Sequence, residues 1–216
     1  MKTINLTATN SLLQNFLSEL RDKDIQRDSM RFRRNIERVG EITAYEISKT
    51  LCFSPTTVIT PLAEMQTQVC SDKIVIATIL RAGLPFHQGF LNYFDHAQNA
   101  FVSAYRKYTS PTEFVIHTEY IASPDLTDKT LIICDPMLAT GSSMEVAYHA
   151  LLEKGTPKHV ILSSLLATKE AIDFLDEHLP ADVTLYTAAI DPILNPHKYI
   201  VPGLGDAGDL AFGEKL

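Results

Sequence analysis

The residue types most able to do chemistry lie in one segment, residues 131–143. It reads Leu-Ile-Ile-Cys-Asp-Pro-Met-Leu-Ala-Thr-Gly-Ser-Ser. The apolar start is typical of a strand buried in a parallel sheet, so Asp135 would lie at the carboxyl end of that strand, where open α/β sheets bind their ligands. A helix is predicted to follow, with Ser142 and Glu145 at the spacing of a capping box.

The loop between this strand and helix is predicted to bind a phosphate. Backbone N–H groups and the positive end of the dipole attract anions to a helix N-terminus. Thr140, Ser142 and Ser143 would add hydroxyl donors, and Gly141 would let the backbone approach closely. The Gly-Lys-Ser/Thr of nucleoside-triphosphate P-loops is absent from the sequence. An ordinary strand-loop-helix unit would share these features. Other segments of the chain are therefore needed to distinguish a ligand site from such a unit.

Two arginines follow strand-like runs elsewhere in the chain. Arg81 comes directly after Ile74–Leu80, and Pro85 is expected in the first turn of the next helix. Burying a guanidinium without an anionic partner is costly, so Arg81 is expected to bind phosphate in a bidentate manner. Arg106 follows the run Ala100–Tyr105 and could supply a second cation, although taken by itself a solvated loop position next to Lys107 explains it better.

The tail, residues 199–209, combines small, proline and acidic residues with apolar ones. It reads Tyr-Ile-Val-Pro-Gly-Leu-Gly-Asp-Ala-Gly-Asp. A flexible polar tail would not carry so many apolar side chains. We therefore expect an ordered series of turns without regular structure, whose backbone groups line a small flat pocket.

Together these segments resemble the uracil phosphoribosyltransferase family. The resemblance rests on Leu80–Gly83, Asp135–Gly141 and the long match Ile200–Asp209, and it continues upstream through Leu20–Lys23. It covers most of the chain. It implies a type I phosphoribosyltransferase fold and transfer of the 5-phosphoribosyl group from phosphoribosyl pyrophosphate (PRPP) to N1 of uracil, giving UMP and pyrophosphate.

The resemblance also implies roles for individual residues. Arg81, Arg106, Asp135 and Asp206 would be catalytic, with the two arginines on the pyrophosphate. The PRPP site would comprise these four together with Pro136, Met137, Leu138, Ala139, Thr140, Gly141, Ser142 and Ser143. The uracil site would comprise Ile200, Gly205, Asp206 and Ala207. Mg²⁺ would be held mainly by substrate phosphates. GTP is a candidate effector, and a homodimer or higher homo-oligomer is expected.

Two alternatives remain open at this point. The family carries a lysine on a flexible loop over its active site, whereas Thr109–Pro124 contains none, so a non-catalytic pyrimidine- or nucleotide-sensing protein is one alternative. The other is an RNA-binding regulator, motivated by five arginines in the predicted helix Ile25–Leu51. A net charge of −7 opposes nucleic-acid binding as the main role.

Composition agrees with a soluble α/β enzyme. With 216 residues, 45% of them hydrophobic and 21% charged, the chain fits one domain spanning 1–216, with an N-terminal helical segment at about 10–52 packed on it. Strand-like runs alternate with helix-like stretches and predict a mainly parallel twisted sheet flanked by helices; the runs are 74–80, 100–105, 131–134, 160–166 and 183–189.

We expect a cytoplasmic protein with no membrane segment. Its three scattered cysteines indicate neither a disulfide framework nor a zinc site.

Overall fold

A mainly parallel sheet with helices packed against it organises the chain. The computed structural model describes residues 1–108 and 114–215, and side chains at 1–103 and 120–215. The strands of the described part are β1 (Lys2–Asn5), β2 (Phe53–Ile59), β3 (Glu64–Cys70), β4 (Ile74–Leu80), β5 (Gln98–Tyr108), β6 (Phe114–Ala122), β7 (Thr130–Cys134), β8 (Met137–Leu138), β9 (His159–Thr168), β10 (Thr184–Asp191), β11 (Ile193–Leu194) and β12 (Ile200–Val201). The helices are α1 (Leu13–Arg21), α2 (Ser29–Ser48), α3 (Gly83–Leu91), α4 (Ser142–Leu152), α5 (Lys169–His178) and α6 (Ala207–Phe212).

The main sheet has the strand order β1-β10-β9-β7-β4-β5-β6, with β8 added beside β9. Neighbours pair in parallel except β5 and β6, which are antiparallel. The five predicted strands are confirmed. β6 is an addition: residues 114–122, in the region where the family carries its loop, form an edge strand. Residues 109–113 lie outside the described part.

Apolar side chains cover both faces of the sheet. One layer packs α1, α2 and α3 against it, and the other packs α4 and α5. The predicted helix Ile25–Leu51 is shorter than expected: α2 begins at Ser29 because the Asp28 carboxylate accepts hydrogen bonds from two first-turn N–H groups, and residues 25–27 form a separate 3-10 turn. This layer places the end of α1 beside the carboxyl edge of the sheet, where the tail also lies.

The sequence patterns did not reveal the hairpin of β2 and β3, which forms a two-stranded sheet of its own. Most of its residues are exposed on both faces. Its large exposed apolar side chains are Phe53, Val58, Ile59, Leu62, Met65 and Val69. None of the described helices combines the length and the apolar character needed to cross a membrane.

Candidate active site

The carboxyl ends of β4 and β7 bring the first two candidate residues to one edge. These strands are parallel neighbours, with Thr78 paired to Cys134. Arg81 follows the end of β4, and Asp135 follows the end of β7. Both therefore lie at the edge where a ligand of an open α/β sheet binds, as the strand pattern predicts.

The loop after Asp135 forms a small cradle at the start of α4. Its lining residues are Asp135, Met137, Leu138, Ala139, Thr140, Gly141, Ser143 and Met144. The Asp135 carboxylate accepts a hydrogen bond from the Met137 N–H at 3.3 Å. On the other side, the Thr168 hydroxyl at the end of β9 donates to Ala139 O at 2.7 Å. The cradle is thus fixed at both ends by side chains from the strand ends.

The predicted capping box is wrong. Gly141, with φ +84°, takes the N-cap position of α4, and no side chain caps the helix there. A Cβ at Gly141 would lie 2.8 Å from Phe174 Cδ1, so packing of this loop on α5 requires glycine. Ser142 is the first helical residue, and its hydroxyl accepts a hydrogen bond from Thr140 at 3.3 Å. First-turn N–H groups have no intrahelical partner, so the start of α4 still suits an anion without a side-chain cap.

The tail reaches Arg81 through α6. Arg81 Nη2 forms an ion pair with Asp209 Oδ1 at 2.9 Å, and both side chains are partly exposed. The expectation that the tail lacks regular structure is wrong for α6 and β12. The Asp206 carboxylate supplies the reason, because it accepts hydrogen bonds from the N–H groups of Gly208 and Asp209 and caps α6.

Two glycines shape the segment that runs from β12 to the first residue of α6, which we call the base turn (Ile200–Ala207). Gly203 has φ +56°, and a Cβ there would lie 2.1 Å from Ile200 O. Gly205 has φ +93° and is exposed, whereas Ile200 and Ala207 are buried. The turn therefore exposes the backbone of Gly205, while the side chains of Ile200 and Ala207 pack in the hydrophobic core.

Sequence reasoning missed two residues at this edge, Arg21 and Asp191. Asp191 ends β10 and is 4% exposed, and Arg21 ends α1 and forms a bidentate ion pair with it. Asp191 follows an apolar strand run, as Asp135 does, so the signal was present at that position. Arg21 lies in the matched segment Leu20–Lys23, but nothing local assigns it to the site, because its partner lies 170 residues away.

Other predicted residues fall outside the site or outside the described part. The side chain of Arg106 is not among those described. Cys134 is buried in the core, and burial raises the pKa of its thiol, which agrees with a packing role. In the arginine-rich helix α2, Arg31 pairs with Glu19 and Arg34 pairs with Glu37 and Glu41. These neighbouring carboxylates offset the positive charge that motivated the RNA-binding alternative.

The metal-binding capacity of the cradle rests on Asp135, the carboxylate in its lining. Among the described residues, no three His, Cys, Asp or Glu side chains are grouped so that they could hold a metal ion. Mg²⁺ commonly binds through one or two carboxylates together with water and substrate phosphates. Asp135 beside an anion cradle therefore fits a magnesium ion that arrives with a phosphorylated substrate.

The mainly parallel sheet with helices on both faces has the type I phosphoribosyltransferase fold. A hypoxanthine phosphoribosyltransferase from Staphylococcus aureus superimposes with a TM-score of 0.50 at 15% identity, covering 74% of each chain, a likeness in fold alone. The AQ2163 protein from Aquifex aeolicus superimposes with a TM-score of 0.87 at 28% identity, covering 98% of each chain.

Comparison of sequences identifies the family within this fold. The profile of the uracil phosphoribosyltransferase family matches residues 7–214. A uracil phosphoribosyltransferase of Porphyromonas gingivalis is 62% identical over 216 residues, all of both chains. One from Pyrococcus furiosus is 42% identical over 207 residues, 94% of this chain and 87% of that one. The chain belongs to the uracil phosphoribosyltransferase family.

Proposed function

We propose that this protein transfers the 5-phosphoribosyl group from PRPP to N1 of uracil, forming UMP and pyrophosphate. One structural observation carries the proposal: α6 places the base turn beside Arg81, through the ion pair between Arg81 and Asp209. The residue proposed to bind pyrophosphate and the backbone proposed to read the base thereby lie side by side. Membership of the uracil phosphoribosyltransferase family supports the same reaction.

The cradle would hold the sugar-phosphate part of PRPP. Backbone N–H groups at the start of α4, with the hydroxyls of Thr140 and Ser143, suit the 5-phosphate. Asp135 at the rim suits the ribose hydroxyls, because a carboxylate accepts hydrogen bonds from both. Arg81 would bind the pyrophosphate, for which a guanidinium fork is well matched, and Arg106 would assist it.

The base turn would read the edge of uracil through its backbone. Uracil presents carbonyl acceptors and N–H donors, so backbone groups at Ile200 and at Gly205–Ala207 can complement it without a charged side chain. The buried side chains of Ile200 and Ala207 support the apolar floor of this site. Asp206, which belongs to the turn and caps α6, would lie adjacent to both substrates in this arrangement.

The chemistry calls for positioning and charge stabilisation. The bond from C1 of the ribose to the pyrophosphate oxygen breaks, and its electron pair leaves with pyrophosphate. A bond from C1 to N1 of uracil forms as N1 gives up its proton, which is released to water. The positive charge that develops on the sugar would lie beside Asp135, and the charge on the leaving group beside Arg81. A bound magnesium ion would neutralise part of the pyrophosphate charge.

The direct test is turnover by the purified protein. Uracil, PRPP and Mg²⁺ should give UMP and pyrophosphate, while cytosine, adenine and hypoxanthine should not react. Asp135→Asn should impair use of PRPP far more than folding, and unchanged turnover would reject the role of Asp135. Substrate binding without UMP formation would favour the sensing alternative.

Gly205 offers a test of where the base binds. Gly205→Val should weaken uracil binding by introducing a branched side chain into the base turn. Gly205→Ala is the matched control, because both variants place a side chain at φ +93° and only valine adds substantial bulk. Normal uracil affinity in the valine variant would place the base elsewhere.

We further propose that the protein forms a homo-oligomer through the hairpin of β2 and β3. An isolated two-stranded hairpin is marginally stable in water, and this one exposes Ile59 at 79% and Leu62 at 97%. A second copy of this chain would cover these side chains. Ile59→Lys/Leu62→Lys should lower the mass measured by sedimentation, and an unchanged mass would contradict this interface.

GTP as an effector stays a prediction, to be tested by adding it to the turnover assay.

A further inference from the structure

A buried ion pair joins the end of α1 to the end of β10. Arg21 Nη1 and Nη2 donate to Asp191 Oδ2 and Oδ1, each at 2.8 Å. The Arg21 side chain is 24% exposed, and that of Asp191 is 6% exposed. This fork-to-carboxylate geometry holds both side chains in one orientation, with little solvent to compete for the hydrogen bonds.

The same two side chains also bind the backbone of the base turn. Arg21 Nη1 donates to Gly203 O at 3.0 Å, and the Gly203 N–H donates to Asp191 Oδ2 at 2.9 Å. A third contact comes from the 3-10 turn after α1. In the amide orientation that satisfies the surrounding acceptors, Gln26 donates to Leu204 O at 2.7 Å. Two successive residues of the turn are therefore held by side chains distant in sequence.

We infer that Arg21, Asp191 and Gln26 are positioning residues that set the affinity of the site for uracil. This inference rests on the proposed function. Glycine populates both signs of φ with nearly equal ease, so the backbone at Gly203 and Gly205 does not define its own direction. The three side chains fix Gly203 and Leu204, and thereby the directions in which the following N–H and C=O groups point toward the base.

If Arg21 had a purely structural role, anchoring α1 to the rest of the chain, breaking another ion pair of α1 would have the same effect on uracil binding. The chain offers a control in Arg31, which makes a more exposed bidentate ion pair from α2 to Glu19 on α1, with contacts of 2.8 and 2.6 Å. Both pairs tie α1 to another element. In the described contacts, only the pair at Arg21 also bonds the base turn.

The experiment compares Arg21→Met with Arg31→Met in steady-state kinetics with both substrates. A misplacement of about 1 Å can cost about 100-fold, so we expect the KM for uracil to rise roughly 10- to 100-fold in Arg21→Met. The KM for PRPP should stay within about 2-fold, because the cradle lies on other strands. Arg31→Met should leave both values near those of the wild type. Arg21→Lys should recover part of the uracil affinity, since lysine keeps the charge without the fork.

Gln26→Ala provides a second readout if Arg21→Met does not fold, because it removes the contact to Leu204 O while leaving the ion pair in place. It should raise the KM for uracil selectively. An unchanged KM for uracil in the folded variants, or an equal rise in Arg21→Met and Arg31→Met, would overturn the inference. A wild-type protein without turnover would instead overturn the proposed function, so the two failures are distinguishable.

Discussion

Gly83, at the start of α3, lies so close to Thr78 that a side chain there must displace something. A Cβ at Gly83 would lie 2.1 Å from Thr78 Oγ1. Thr78 is fully buried, and its hydroxyl has no hydrogen-bond partner among the described residues. The Thr78 hydroxyl therefore occupies the space that a methyl group at position 83 would need, directly beneath the turn that carries Arg81.

The size of the effect follows from this overlap. Gly83→Ala should lower the free energy of unfolding by about 1–3 kcal/mol, the usual cost of overpacking a core. Thr78→Ala should change it by about 1 kcal/mol or less, because losing an unpaired buried hydroxyl offsets the lost methyl contact. In the double variant the new methyl group fills the space vacated by threonine. It should be more stable than Gly83→Ala alone, with a coupling of at least about 1 kcal/mol.

Urea unfolding of the wild type, the two single variants and the double variant measures this coupling, and PRPP kinetics measures its consequence. Relief of the overlap requires a shift of more than about 1 Å, so the KM for PRPP should rise by up to about 100-fold in Gly83→Ala and recover largely in the double variant. Additivity of the two single effects within about 0.5 kcal/mol would refute the reasoning.

Three further predictions follow from hydrogen bonds and charges. Asp206→Ala should lower the free energy of unfolding by about 0.5–2 kcal/mol through loss of the α6 cap, and an unchanged urea midpoint would contradict that role. Burial lowers the pKa of His87, so the unfolded chain binds its proton more readily, and stability should fall as the pH drops below 6.5. His87→Gln should flatten that fall in thermal melts between about pH 7 and 5, and an identical slope would argue against the burial effect. Asp209→Asn should lower the Kd for PRPP by at most about 5-fold, since the competing ion pair with Arg81 is partly exposed; weaker binding in calorimetry would show that Asp209 helps the ligand.

Local sequence patterns were sufficient to predict the central strands of the sheet and the positions of two candidate site residues, Arg81 and Asp135. Buried parallel strands read as continuous apolar runs, so β4 and β7 were visible together with Arg81 and Asp135 at their ends. The same reasoning went wrong at Ser142, because the N-cap of α4 is decided by packing. Gly141 lies against Phe174 of α5, a contact that no spacing within the loop reveals.

The sequence by itself determined five strands of the main sheet, the positions of Arg81 and Asp135 after two of them, and the family to which its motifs point. Tertiary structure decided how the tail is held. α6 forms because Asp206 caps it, and Arg33 donates to Ala211 O from α2 at 2.7 Å. The base turn is fixed by Arg21 and Asp191, which are 170 residues apart. Periodicity reports on neighbours within a helix or strand, whereas such contacts arise only when distant segments fold against each other.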